Sequence, residues 1–438
     1  MDYFAVAGKP VSHSRSPLIF NYLFDYHNLN AKYLRLAADN SEEIIEFIKD
    51  IHLKGLNLTS PFKESLNNFI ELISKGVKET GAVNFILNKK KRLLGFNTDI
   101  AGVCRIIREH KIDLNNKYIL ILGAGGAAKA VLSALKYFSN NFAFKIYIIN
   151  RSPDKAKDLV ERFCSERFDV HARNFSELVE YLKFTDILFN TIPGNFEIID
   201  NSMLHSNLTI IDSNYHNSYL MKHAEYVKCK YIGGMEWLVN QALPAFYKAY
   251  KIKPEKDLIL NYLKEHPDII PPKNIVLIGF TGSGKTTIGK IVADKLDYLH
   301  IDIDREIEIN QNRSISEIFK TEGDDYFRRL EFRYLKKLKK IDKAVISCGG
   351  GILSRAGSAK VIKTLGMRFW LYSPLDTCLE RTTIEIKPLL VNQSQFRTKY
   401  LFERRRKSYF KNSDVIILNN NTLEAAADRI ILEYKNIL

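Results

Sequence analysis

The chain has 438 residues, 46% hydrophobic and 26% charged, with 65 Lys and Arg against 50 Asp and Glu, a net charge of +15. That mix describes an ordinary globular chain of about two to four domains and excludes a disordered or fibrous one. No apolar run is long enough to span a bilayer, and the start, Met1-Asp2-Tyr3-Phe4, lacks a basic leader. The five cysteines (Cys104, Cys164, Cys229, Cys348, Cys378) form no Cys-x-x-Cys pair, so reduced, packed thiols in a cytoplasmic protein are expected. The basic residues are spread along stretches such as Arg333 to Lys343 without a basic tail or an RNA-binding signature. Anionic small-molecule substrates account for the excess, and neither nucleic acid nor membrane is expected as a partner.

Tyr3 to Ala7 alternates as a strand and Gly8-Lys9-Pro10 turns. Ser14-Arg15-Ser16-Pro17 leads into a helix from about Leu18 to Tyr26, with Ser16 and Pro17 suited to N-cap and N1. Ser14 and Ser16 read either as caps or as two hydroxyls aimed at a polar ligand. A second β–α unit covers Lys32 to Ile51, and a third strand runs from Gly55 to Thr59. Asn57 and Thr59 alternate and share one side of that strand. Lys63 follows at the carboxyl edge of the sheet, where open α/β sheets bind ligands. Gly81 to Ile86 reads as another strand, and Leu93 to Asp99 ends in a helix cap. Alone, Asp99 is a capping residue. With Lys63 it can form a proton-transfer pair, since a lysine beside a carboxylate can exchange a proton with a substrate oxygen.

Lys117 to Leu122 is a near-continuous apolar strand that runs into Gly123-Ala124-Gly125-Gly126-Ala127-Ala128 and a helix. This is the G-x-G-x-x-A dinucleotide fingerprint in its strand-to-helix setting. The next strand, Lys145 to Ile149, ends in Asn150-Arg151-Ser152 with Lys155 beyond, where an NAD binder would place an acid for the ribose hydroxyls. Arg151 and Lys155 can hold a 2′-phosphate, which favours NADP; a solvated basic surface is the alternative. Two more strands follow, at Ile187–Thr191 and Leu208–Asp212, and Gly233 to Gln241 opens a long helix. Pro254, Pro267, Pro271 and Pro272 mark a seam at about Glu265 to Lys273.

Asn274 to Ile278 is a strand that feeds Gly279-Phe280-Thr281-Gly282-Ser283-Gly284-Lys285-Thr286-Thr287, and a helix leaves it. That is G-x-x-x-x-G-K-[ST] in its strand–loop–helix setting. Glycines let backbone N–H groups converge on phosphate oxygens at a helix N-terminus. Lys285 puts a point charge on the outer phosphates of ATP, and the Thr286 hydroxyl can ligate Mg2+.

The first segment resembles the shikimate dehydrogenases through Ser-x-Ser-Pro, Asn-x-Thr-x-Pro-x-Lys, Gly-Ala-Val-Asn and Asn-Thr-Asp, then Gly-Ala-Gly-Gly-Ala-Ala, Asn-Arg-Ser and Gly-x-Glu-Trp-x-Val-x-Gln. It covers about residues 1–265. The resemblance implies reduction of 3-dehydroshikimate by NADPH. It places Ser14, Ser16, Asn57, Thr59, Asn84, Asp99, Tyr215 and Gln241 around the substrate, with Lys63 as the proton carrier and Asp99 as its partner. The loop Asn190-Thr191-Ile192-Pro193-Gly194 is one residue shorter than the family's Asn-x-Thr-Pro-x-Gly, which leaves the contacts near the nicotinamide open.

Residues 274–438 resemble the shikimate kinases. Asp302 and Asp304, two carboxylates at a strand end, match the family's acids. Asp302 would hold Mg2+ through water and Asp304 would accept the hydrogen bond of the attacking hydroxyl. Gly323 to Glu331 fits Gly-x-x-x-Phe-Arg-x-x-Glu, with Arg328 on the substrate carboxylate and Glu331 steadying it. Cys348-Gly349-Gly350-Gly351 matches the triple glycine, with Gly350 against the substrate, and Arg405, four residues before Tyr409, matches the second carboxylate-binding arginine. Arg381 and Pro388 would lie near the adenine. The family's Arg-Pro-Leu-Leu is Lys387-Pro388-Leu389-Leu390 here, which keeps the charge and loses the bidentate fork.

The expected fold is α/β throughout: a substrate domain of the shikimate dehydrogenase type at 1–101, completed by 235–265, and an NADP-binding Rossmann domain at 102–234. A linker at 266–273 leads to a P-loop kinase domain with a parallel sheet at 274–438. The expected function is two consecutive steps of the shikimate pathway, reduction of 3-dehydroshikimate and phosphorylation of shikimate. The rivals are a dehydrogenase fused to a kinase-like binding or regulatory module, and quinate oxidation in the first half.

Overall fold

The computed structural model describes residues 1–166, 168–194, 196–215, 218–266, 271–382 and 395–437. Contacts divide the chain into two compact units. One is Met1–Pro17, Asn30–Leu53 and Asp268–Leu438; the other is Leu18–Leu29 and Lys54–Pro267.

The first unit holds seven strands in the order Leu299–Asp302, Ala344–Ser347, Ile275–Ile278, Met367–Tyr372, Val415–Leu418, Ala31–Ala37, Asp2–Gly8, each parallel to its neighbour. Ile275, Val276, Leu277 and Ile278 are all fully buried. A parallel sheet covered on both faces needs such continuously apolar central strands. Val415, Ile416 and Ile417 pair with Arg35, Leu36 and Ala37, so a strand near the chain's end and one near its beginning share a ladder.

The second unit carries six parallel strands in the order Lys230–Ile232, Thr209–Asp212, Ile187–Asn190, Lys117–Leu122, Phe144–Ile149, Asp169–Arg173. This is the Rossmann sheet, and Ile119 to Leu122 at its centre are wholly buried. It also carries Gly55–Leu58, Phe85–Lys89, Arg92–Phe96 and Leu72–Ile73, in that order. The expected strand from Gly81 begins only at Phe85, because Gly81 takes a φ of 67° and ends the helix Lys75–Thr80 as its left-handed cap. Thr59 lies one residue past its strand. Cys104, Cys348 and Cys378 are buried free thiols, but Cys164 is exposed, so the expectation that all five pack inside fails there. Among the described residues no helix is long and apolar enough to cross a membrane.

Candidate active sites

Asp99 is not the cap of its helix. The cap of Thr98–Glu109 is Asn97, whose side-chain oxygen accepts from the Asp99 and Ile100 N–H groups. That leaves the Asp99 carboxylate for Lys63, whose Nζ lies 2.6 Å from Asp99 Oδ2. The pair is largely buried, with Lys63 24% and Asp99 10% exposed at the side chain. Asn84 is the hub beside it. Its oxygen accepts from the Thr98 N–H at 2.6 Å, and its amide nitrogen donates to Thr98 Oγ1 at 3.0 Å and Gln241 Oε1 at 3.4 Å. Asn57 donates to the Asn84 carbonyl at 3.2 Å. Asn57, Asn84, Asp99 and Gln241 are all buried. Buried amides, a carboxylate and an ammonium held this way suit a small polyhydroxy ligand whose oxygens both donate and accept.

The dinucleotide turn lies against this cluster. A Cβ on Gly126 would sit 3.5 Å from Lys63 Cδ, and Lys129 on the helix Gly126–Phe138 pairs with Glu64 at 2.7 Å. Gly123 has a φ of 108°, and a Cβ there would meet Thr191 Oγ1 at 2.5 Å, so the turn has no room for a side chain. Asn150 closes the next strand by donating to the Ser152 carbonyl, and Arg151, Ser152 and Lys155 are exposed beside it with no acid at the strand end. This donor set fits a 2′-phosphate better than a free ribose diol. The loop Asn190-Thr191-Ile192-Pro193-Gly194 is held from the neighbouring strand. Asp212, fully buried, accepts from Asn190 at 3.0 Å, and Asn214 donates to the Ile192 carbonyl at 2.9 Å. Tyr215 follows, half-buried, between the strand Thr209–Asp212 and the helix Tyr219–Val227.

In the first unit, Gly282 and Gly284 adopt φ of 83° and 81°, and a Cβ on Gly282 would run into the Cys378 carbonyl. Lys285 Nζ donates to the Phe280 carbonyl at 2.8 Å across the loop it serves. Thr286 Oγ1 donates to Asp302 Oδ2 at 2.5 Å, and Asp302 Oδ1 caps the next helix by accepting from the N–H groups of Asp304 and Arg305. A hydroxyl and a carboxylate meeting at the P-loop fit Mg2+ held through water. Thr287 is exposed one residue on. Arg381 points its Nη1 and Nη2 toward Ser373 and the Asn419 carbonyl, at 3.4 and 3.5 Å.

The triple glycine packs against five polar side chains. A Cβ at Gly349 would lie 2.5 Å from Asp304 Oδ1 and 2.7 Å from Glu331 Oε1; one at Gly351 would strike the Arg328 guanidinium. At Gly350 it would come within 2.9 Å of Thr281 Oγ1 and 3.4 Å of Arg405 Nη1. Arg328 and Glu331 form a buried pair at 2.6 Å, and Asp324 takes the other edge of the guanidinium at 3.0 Å. Burial pushes the Glu331 carboxyl up to about 7 despite the opposing pull of Arg328. Arg405 is buried beneath the Phe280 ring, and its Nε and Nη1 have no hydrogen-bond partner among the described residues. Burial lowers its pKa, and the nearby Arg328 pulls the same way. A buried cation with unused donors is costly unless a ligand anion meets it.

The structure thus gathers Asn57, Lys63, Asn84, Asp99 and Gln241 in one cluster, and Asp304, Arg328, Gly350 and Arg405 in another beside Lys285, Thr286 and Asp302. Ser14 and Ser16 are buried in the first unit. Lys387, with Pro388, lies outside the described residues. Sequence reasoning missed Asn97, Thr98 and Phe280. The first was hidden because Asn97 and Asp99 are equally good caps; Phe280 fills one of the four unspecified positions of the P-loop pattern.

A Rossmann sheet with a lysine–carboxylate pair at its glycine turn, and a P-loop sheet with buried arginines, define a chain of two nucleotide-dependent enzyme halves. Family models match it three times: the shikimate dehydrogenase substrate binding domain at residues 6–86, the shikimate/quinate 5-dehydrogenase domain at 106–215, and shikimate kinase at 281–435. The shikimate dehydrogenase (NADP(+)) of Pyrococcus abyssi is 31% identical over 265 residues, 59% of this chain and 96% of its own length. That of Thermococcus kodakarensis is 34% identical over 266 residues, 58% of this chain and 93% of its own. The crystal structure of the Aquifex aeolicus shikimate dehydrogenase superposes with a TM-score of 0.56 at 28% identity, over 60% of this chain and 98% of that one. The Thermus thermophilus enzyme, solved with NADP(H) and shikimate, gives 0.53 at 26% identity over 60% and 99%. The chain belongs to the shikimate dehydrogenase family, and a shikimate kinase domain follows in the same polypeptide.

Proposed function

We propose that the chain carries out two consecutive steps on one small carboxylate: reduction of 3-dehydroshikimate to shikimate, then phosphorylation of the shikimate 3-hydroxyl. NADPH supplies the hydride when bound, and MgATP supplies the phosphoryl group. The division of labour follows 1–101 with 235–265 for the first substrate, 102–234 for NADP, 266–273 as the connection and 274–438 for the kinase. The reading makes this a cytoplasmic enzyme whose partners are small molecules.

In the first half, Lys63 donates its proton to the substrate carbonyl oxygen as that oxygen becomes a hydroxyl, and takes it back in the reverse direction. Asp99, at 2.6 Å, keeps the ammonium aimed and charged between turnovers. Ser14, Ser16, Asn57, Thr59, Asn84, Tyr215 and Gln241 bind the carboxylate and ring hydroxyls. Gly123, Gly125, Gly126 and Ala127 let the backbone approach the pyrophosphate, and Asn150, Arg151, Ser152 and Lys155 take the adenosine 2′-phosphate. In the second half, Arg328 and Arg405 bind the shikimate carboxylate, Gly350 lets the ring approach the backbone, and Asp304 accepts a hydrogen bond from the attacking hydroxyl and orients it. Gly282, Gly284, Lys285, Thr286 and Thr287 cradle the phosphates, Asp302 with Thr286 would hold Mg2+, Arg381 borders the adenine, and Lys387, at the family's lid-arginine position, is assigned to the transferring phosphate.

The observation that carries the reading is Arg405, buried with two guanidinium nitrogens unused among the described residues, against the triple glycine. A protein keeps such a cation buried when a ligand anion completes it. The test is ATP-dependent formation of shikimate 3-phosphate by the full chain, with Asp304→Asn as control and NADPH-dependent reduction of 3-dehydroshikimate run alongside. Loss of phosphorylation by about 10²-fold or more in the variant, with reduction intact, is expected. Reduction without any phosphorylation by the parent chain would leave the C-terminal half as a binding module.

A further inference from the structure

The loop between the strand Asp2–Gly8 and the helix Ser16–Tyr26 is held from the far end of the chain. Glu433, on the C-terminal helix Leu423–Lys435, is fully buried. Its carboxylate accepts from the Val11 N–H at 3.1 and 2.9 Å and from the Ser12 N–H at 2.7 Å. The Glu433 carbonyl accepts from the Ser12 hydroxyl at 2.7 Å. Three residues on, Asn436 Nδ2 lies 3.3 Å from Ser12 Oγ and 2.8 Å from His13 Nδ1. The same loop then folds on itself. Ser14 N–H donates to the Val11 carbonyl at 3.0 Å, Ser16 N–H approaches Ser14 Oγ at 3.4 Å, and Arg35 grips the Ser14 carbonyl at 3.1 and 2.7 Å.

The C-terminal helix is in turn anchored to the kinase sheet and to the second strand of the chain. Arg429 donates to the Leu418 carbonyl at 2.6 Å and reaches Asp39 and Glu43, both on the segment after Ala31–Ala37. Asn421 donates to Glu43 at 2.7 Å. Packing alone does not ask for a glutamate at 433. Burial pushes its carboxyl up, and the two backbone donors pull the other way. A buried carboxyl group is retained where its acceptors are needed, and here they satisfy two buried N–H groups that an apolar residue would strand.

We propose that Glu433, contributed by the kinase half, is a positioning residue of the dehydrogenase half: it fixes the Val11–Ser16 loop and so sets where Ser14 and Ser16 meet shikimate. The inference rests on the assignment of Ser14 and Ser16 to the shikimate site. It makes the kinase domain a structural part of the neighbouring enzyme.

The test is steady-state oxidation of shikimate by NADP+ with the full-length chain carrying Glu433→Leu or Glu433→Gln. Leucine removes both acceptors; glutamine keeps one neutral oxygen for the N–H groups of Val11 and Ser12. We expect the leucine variant to raise KM for shikimate about 10- to 100-fold, as for buried donors left unsatisfied, with KM for NADP+ unchanged. The glutamine variant should recover most of that loss. An unchanged KM for shikimate in the leucine variant, or a parallel rise for both substrates, overturns the proposal. Should the leucine variant fail to fold, Ser12→Ala, which removes the hydroxyl's bonds to the Glu433 carbonyl and to Asn436 while leaving the Glu433 carboxylate in place, must show the same split at two- to fivefold. Ser14→Ala, run in parallel, tests the underlying assignment separately: if it leaves KM for shikimate unchanged, the site reading fails whatever Glu433 does.

Discussion

Replacing Arg405 by methionine separates binding from folding in the kinase half. Arg405 is 7% exposed, and its Nε and Nη1 meet no acceptor among the described residues. Burial already disfavours its charge, and Arg328 nearby adds repulsion. Among the described residues, two of its guanidinium nitrogens are therefore buried without an acceptor. A bound carboxylate would complete them with two charge-assisted hydrogen bonds of about 1.5–3 kcal/mol each. Losing both costs roughly 3–6 kcal/mol of transition-state binding, or about 10²–10⁴ in kcat/KM for shikimate at ~1.4 kcal/mol per decade. Methionine fills similar volume without charge, and such replacements of buried ions are commonly neutral or stabilising by about 1–4 kcal/mol. Thermal denaturation should show an unchanged or higher Tm, by up to a few degrees. A coupled assay at saturating ATP reads kcat/KM for shikimate, and KM for ATP should stay put. A Tm several degrees lower, or a kcat/KM changed less than tenfold, would refute the reasoning, because Arg405 would then be a structural residue with partners of its own.

Lys63→Met should lower kcat for NADP+-dependent shikimate oxidation by about 10²–10⁴-fold while NADP+ binding, read by fluorescence titration, is retained. Asp99→Asn should cost less, about 10–100-fold, because it loosens the lysine without removing the proton. Arg151→Glu should shift the ratio of kcat/KM for NADP+ over NAD+ by about 100-fold toward NAD+, one charge-assisted bond exchanged for a repulsion. Phosphorylation should lose kcat/KM for shikimate as the pH falls through about 7, since Glu331 then takes a proton and releases its grip on Arg328. Glu331→Gln should abolish that acid limb and stay low throughout. Folding stability runs the opposite way: a raised carboxyl contributes fully below its ordinary value near 4.5, and the contribution is lost as the pH rises through about 7.

The glycine turns were legible because backbone geometry leaves few residue choices there. Gly282 has a φ of 83° and a carbonyl where its Cβ would be, and the chain writes Gly-Ser-Gly-Lys-Thr around it. The Lys63–Asp99 pair was legible only as one of two options, since local pattern does not say whether Asn97 or Asp99 caps the helix; the tertiary contact at 2.6 Å decides it. Glu433, Arg429, Asp39 and Glu43 carried no signal at all. A lone acid or base on an amphipathic helix reads as solvent-facing. Its burial depends on a segment more than 370 residues away in the chain, as for the bond from Asn421 to Glu43 on the helix Ser41–Ile51. The shared ladder between Val415–Ile417 and Arg35–Ala37 was equally invisible, because both segments read as ordinary buried parallel strands.

The two halves solve one recognition problem with different chemistry, and the difference follows from what else occupies each site. Beside the P-loop, the substrate must approach a triphosphate, so its carboxylate would be repelled. In the proposed reading Arg328 and Arg405 supply two cations there, and the buried Glu331 together with the exposed Asp324 holds Arg328 in place. Beside the Lys63–Asp99 pair lie neutral amides and a hydroxyl, those of Asn57, Asn84, Thr98 and Gln241, joined by hydrogen bonds of 2.6–3.4 Å. There the chemistry needs one transferable proton, and a second cation at the carbonyl oxygen would hold the developing negative charge without protonating it. In the proposed reading uncharged donors bind the ring and leave Lys63 the group that responds to that charge. The strand pairing at Arg35–Ala37 adds a constraint of its own. An open strand edge invites pairing with other chains, and covering it with Val415–Ile417 removes that hazard while bringing Glu433 to the loop of Ser14. If Ser14 and Ser16 bind substrate as proposed, a fusion at this edge does more than tether two enzymes at raised local concentration: it writes a residue of the second into the substrate loop of the first.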